Sequence, residues 1–89
     1  MTVSHLQRLV AVMDQLRSPC GCVWDAEQTH ESLLKFLLEE SYEYIEAVET
    51  NDREAMREEL GDVLLQVYFH ARMAQEHPTE PFSIEDVAE

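Results

Sequence analysis

"LLKFLLEESYEYIEA", Leu33 to Ala47, holds enough apolar residues to bury most of a helix, yet Glu39, Glu40, Glu43 and Glu46 run through it. At about 100° per residue, Leu34, Leu38, Tyr42, Ile45 and Val48 share one face, which reads as the main packing face. Glu39, Glu43 and Glu46 flank that face, with Glu40 just beyond and Leu33, Phe36 and Tyr44 on the far side. The acidic stripe is thus bordered by apolar surface on both sides, which a solvated face does not require.

Further on, "REELGDVLLQVYFHA", Arg57 to Ala71, repeats the pattern. Leu60, Val63, Leu64, Val67, Ala71 and Ala74 form its expected main face, and Leu65 and Phe69 extend apolar surface round the back. Glu59, Asp62, Gln66 and His70 make a polar ladder that reads as facing an interior site. Gly61, beside the acids, leaves room for close approach or a packing contact.

Between these segments "TND", Thr50 to Asp52, is a short turn in which Asn51 or Asp52 can cap the next helix, so the helix of about His30–Glu49 and the one running to about Gln75 are expected to pack antiparallel. Upstream, Ser4 caps a first helix carrying Leu6, Leu9, Val10, Met13 and Leu16. "RSPCGCVWD" then reads as an ordered loop in which Trp24 and both Cys seek burial. Asp25 with Gln28 resembles a capping box that starts a helical turn. Pro78 stops the third helix, and Ser83 with Asp86 starts a fourth. The expectation is an all-α, four-helix bundle-like protomer built on one long antiparallel pair.

The 89 residues suffice for one small domain with a thin core. Both long helices carry apolar residues on two faces, more than one such protomer covers, so a homodimer or a dimer of dimers is expected. A formal charge of -13 repels phosphate backbones and anionic lipid, which argues against nucleic-acid and membrane partners. The two cysteines, Cys20 and Cys22, are too close for a common disulfide and lack a second Cys/His cluster for zinc. Free thiols in a cytoplasmic protein fit, and no apolar run is long enough to span a membrane.

Glu40 and Glu43, three apart on one helix, face Glu59 and Asp62, three apart on its neighbour. Two anions about 5 Å apart repel by roughly 3 kcal/mol at an effective dielectric of about 20. Four together call for protonation or a bound cation, and an all-oxygen donor set suits Mg²⁺, with Mn²⁺ as a substitute.

These residues carry a family resemblance over about Val10 to Val87. Glu39-Glu40-x-x-Glu43 followed by Glu59-x-x-Asp62, with "GCVWDAEQTHESL", "EELGDVLLQVYFHA" and "FSIEDV" around them, resembles the MazG-type nucleoside triphosphate pyrophosphohydrolases of the all-α pyrophosphatase superfamily. The resemblance implies cleavage of a nucleoside triphosphate to monophosphate and pyrophosphate, with Mg²⁺ held by Glu40, Glu43, Glu59 and Asp62. Glu39 would be an outer acceptor or the base for the attacking water.

Val23 stands where the family pattern has proline. The family's basic K-L-x-x-R-H-P-H-type stretch does not follow the "DV" segment, so a single domain over 1–89 lacking that helix is expected. A truncated, weakly active or inactive oligomerisation or regulatory module is therefore the alternative function. A di-iron carboxylate bundle fits less well, because it needs two E-x-x-H motifs and only Glu27 to His30 supplies one.

Three further residues are candidate substrate contacts. Lys35, the single lysine, lies a turn before the acids and meets a phosphate oxygen or solvent. Arg57 meets phosphate or pairs with Glu54 or Glu58. Trp24 stacks on a nucleobase or anchors its loop. His30 is expected to serve structure, and His70 to share a network with Gln66.

Overall fold

A computed structural model describes residues 3–89, so Met1 and Thr2 of the expected 1–89 domain lie outside the described residues. The described chain is all-α: α1 (His5–Leu16), α2 (Val23–Glu27), α3 (His30–Glu49), α4 (Arg53–Ala74) and α5 (Ile84–Ala88). No helix among the described residues is long and apolar enough to cross a membrane.

Local chemistry explains most boundaries. Ser4 accepts from the Gln7 amide at 3.0 Å while the Gln7 side chain accepts from Ser4 N–H, closing a capping box at the start of α1. The same reciprocal pair recurs as Ser83 with Asp86 at α5. Asp52 caps α4 through the Ala55 amide at 3.1 Å, and Asn51 takes the left-handed φ of 54° that lets three residues reverse the chain. The capping box expected at Asp25–Gln28 forms instead at Thr29–Ser32. Asp25 lies inside α2, whose first turn it occupies, and Gln28 ends that helix, its side-chain Nε2 donating to the Trp24 carbonyl at 2.9 Å.

α3 and α4 form the long antiparallel pair, and α1 and α5 pack on α4. The core gathers Met13 of α1, Leu33 of α3 and Phe69 and Met73 of α4, with Leu16, Phe36 and Tyr68 against it. It therefore sits at the end of the pair where α3 begins and α4 finishes.

Which face turns inward differs from the periodicity reading. Leu34, Leu38, Tyr42, Ile45 and Val48, the expected main face of α3, are 46–63% exposed, whereas Leu33 on the far side is 1% exposed. On α4, Leu60 and Leu64 are exposed and Phe69, expected at the back, is buried. The reason is that, among the described residues, a covering helix lies only along α4: α1 docks there, and none lies over the apolar stripe of α3. Gly61 also departs from expectation, since nothing lies within 4 Å of where its Cβ would be. The glycine that close approach demands is Gly21, where a Cβ would press on the backbone oxygens of Gln15 and Leu16 at the end of α1.

Candidate metal centre

The three-residue spacings in α3 and α4 do converge. One carboxylate oxygen each from Glu40, Glu43, Glu59 and Asp62 lies within 4.8 Å of all the others. Glu40 and Glu59 are half-buried between the helices, and Glu43 and Asp62 are exposed at the rim. Beyond Glu43 and Glu59 an open acidic depression continues past Glu46, Thr50 and Asp52.

No ion pair among the described residues balances this charge. The ion pairs among the described residues join Arg17 to Glu76, and Arg72 to Asp14 and Glu76; none reaches the cluster. One oxygen of Glu40 and one of Glu59 are buried without a hydrogen-bond partner. Loss of solvent raises both groups' pKa, and a hydrogen bond with Glu43 and the charges of Glu43 and Asp62 raise them further; Glu59 is pushed up to about 7. Glu39, exposed beside Glu40, adds to the same repulsion. Orphaned oxygens in an all-oxygen set with raised proton affinity are what a hard divalent cation fits.

Around the cluster the substrate-contact candidates separate. Trp24 stands edge-on to Phe36, with centroids 6.1 Å apart, and Lys35 Nζ is 5.0 Å from that ring's centre. Phe36, which both meet, lies one helical turn before Glu40 on α3. Trp24 remains 51% exposed and Cys20 is exposed, so burial does not order this loop as expected. Arg57 is not brought to the cluster. Two residues from Glu59 is about 200° round a helix, and Arg57 instead lines a surface depression with Arg53 and Glu54.

His30 contributes an interhelical contact rather than a lone structural role. Its Nδ1 lies 2.8 Å from that of His70, with the rings stacked at 5.0 Å, so one of the two nitrogens must donate and the other accept. Burial, then the charge of His30, lowers the His70 pKa. Gln66 does not join that network: its Oε1 is buried without a partner, as is the far nitrogen of His70.

Sequence reasoning passed over Arg17. Its side chain is 8% exposed, donates twice to Glu76 at 2.7 Å, and donates to the carbonyls of Asp25 at 2.7 Å and Gln28 at 3.2 Å. The available signal was a base at the end of an apolar helix in a chain with six bases against nineteen acids.

With this geometry in view, comparison with known proteins is informative. The model of the MazG nucleotide pyrophosphohydrolase domain matches residues 28–89, and the chain belongs to that family. It is 57% identical over 81 residues to the nucleoside triphosphate pyrophosphohydrolase/pyrophosphatase MazG of Thermotoga maritima, covering 91% of this chain and 31% of that protein. It is 56% identical over 80 residues to a nucleoside triphosphate pyrophosphohydrolase of Mycolicibacterium smegmatis, covering 90% of this chain and 24% of the other. For the Escherichia coli nucleoside triphosphate pyrophosphohydrolase the figures are 45% over 75 residues, 83% and 28%. The chain thus spans about a third or less of the length of these relatives.

Proposed function

We propose that this chain is a Mg²⁺-dependent nucleoside triphosphate pyrophosphohydrolase, converting a triphosphate and water to the monophosphate and pyrophosphate. The observation that carries the reading is the convergence of four carboxylates, two with orphaned buried oxygens, in a MazG-family chain. Glu40, Glu43, Glu59 and Asp62 would hold the cation. When bound, it offsets triphosphate charge, acidifies a water and stabilises charge on the transition-state oxygens.

The chain's own groups do the rest. Glu39 takes a proton from the attacking water as the bond between the α-phosphate and pyrophosphate breaks, general-base help worth about 10²–10⁴-fold. Lys35 meets a phosphate oxygen, and the exposed face of Trp24 meets the base. The uncovered stripe Leu34, Leu38, Tyr42, Ile45 and Val48 supports a homodimer or dimer of dimers, because a contiguous apolar face of this size is rare on a monomer.

The test is incubation of the folded chain with a panel of triphosphates, with and without Mg²⁺, followed by separation of the products. Monophosphate and pyrophosphate in equal amounts, lost in Glu43→Gln, are expected. Absence of both products from folded, cation-saturated protein would replace this reading with a regulatory or oligomerisation module. Sedimentation at micromolar concentration checks the assembly, and a stable monomer would remove that part.

A further inference from the structure

α2 is too short to hold itself. Among the helices its backbone approaches only α1, its start lacks a side-chain cap, and none of its five residues is buried. An isolated helix of that length is unstable in water. Yet it carries Trp24, whose ring meets Phe36 of α3 a turn before the carboxylates.

One side chain ties the end of α2 to the ends of α1 and α4. Arg17 Nη1 donates to the carbonyls of Asp25, which also accepts from the Gln28 N–H, and of Gln28, at the end of α2 where helical donors run out. Nε and Nη2 are used by both oxygens of Glu76, a paired geometry that fixes the guanidinium plane. Arg72 donates to the same carboxylate at 3.1 Å and pairs with Asp14, tying Glu76 to α4 and α1. The Phe69 ring lies 5.9 Å below the guanidinium carbon. One cation thus joins the ends of α1, α2 and α4, and it lies outside the residues 28–89 matched by the family model.

We propose that Arg17, braced by Glu76, is a positioning residue for the nucleotide site: it sets the place of Trp24 beside Phe36 and Lys35, and through Trp24 the binding of the base. This rests on the reading of Trp24 as a nucleotide contact. Lysine cannot replace arginine here, because one ammonium cannot serve a bidentate carboxylate and two carbonyls in fixed directions.

Trp24 is the chain's single tryptophan, so its fluorescence reports the position directly. Three measurements are made on wild type, Arg17→Lys and Glu76→Gln: emission maximum, quenching by ATP with Mg²⁺, and circular dichroism. Arg17→Lys should keep its helix signal, shift the emission to the red, and weaken ATP binding roughly tenfold, an effect on binding rather than turnover. In a Trp24→Phe background, where calorimetry reads ATP binding, the same substitution should cost less than about twofold, as expected when two residues act through one contact.

An unchanged emission maximum and ATP affinity in folded Arg17→Lys would overturn the proposal. So would an undiminished loss of affinity in the Trp24→Phe background. If Arg17→Lys does not fold, Glu76→Gln carries both readouts with the same criteria. Failure of the underlying reading looks different: wild-type Trp24 would show no quenching by ATP, and Trp24→Phe would bind ATP as well as wild type.

Discussion

Glu59 and Asp62 in the first half of α4, and Glu76 just past its end, are acids on one structural element in opposite circumstances. Glu76 receives Arg17 and Arg72, and the Arg17 hydrogen bond and charge hold its pKa below the usual carboxylate range. Glu59 and Asp62 receive only further carboxylates, and Glu59 is driven the other way. At the far end two half-buried arginines, Arg17 and Arg72, meet the exposed acids Glu76 and Asp14, whereas no base is paired with the four converging acids. The proposed reading gives that cluster a cation from outside the chain as its partner.

The largest expected difference lies in what neutralising one acid does. Glu59→Gln should weaken Mg²⁺ binding and turnover by at least about a hundredfold, the upper range seen even for outer partners of a metal. In chelator the same substitution should raise the melting temperature, because it removes one of four repelling charges. Calorimetric Mg²⁺ titration and a melt in chelator check both; a lowered metal-free melting temperature would erase the contrast.

At the other end the sign reverses. Arg17→Met strips Glu76 of its bidentate partner and two carbonyls of their donor, and should lower stability by about 2 kcal/mol. Denaturant unfolding measures it.

A smaller effect is the pH dependence, which should slope in opposite directions at the two ends. Glu59 holds its proton more tightly in the fold, so its contribution is complete below its unfolded value of 4.5 and is lost as pH rises through about 7. Glu76 holds its proton less tightly, so its contribution is present above 4.5 and lost as pH falls through its lowered value. His70, also lowered, favours the fold above 6.5 and partly masks the Glu59 slope. Metal-free melts from pH 4 to 8 should therefore show the Glu59 slope as the difference between wild type and Glu59→Gln, and the acid limb should flatten in Arg17→Met.

The smallest effect tests whether the acidic end is as open as one protomer shows. Gly61→Ala meets no neighbour and should stabilise α4 by up to about 1 kcal/mol. A loss instead would mean that another copy packs on that position in solution.

The reading of the candidate site from sequence went furthest where interactions are local. Helix limits at His30 and Glu49, the caps at Ser4, Asp52 and Ser83, and the spacing of the four acids all depend on residues within a turn of one another. It failed where a distant partner decides. The stripe of α3 that turns inward, the exposure of Trp24 and the His30–His70 contact each depend on what another element brings alongside.

The amino-acid order alone therefore determined that this chain is helical, that two long helices run antiparallel, and that two acid pairs share one level between them. Only the tertiary structure decided which apolar stripe is covered, and that Arg17 reaches a carboxylate 59 positions away. The physical reason is range. Caps and helical periods are set by neighbours in the chain, whereas burial and ion pairing are set by whichever surface arrives opposite, and periodicity cannot name that surface.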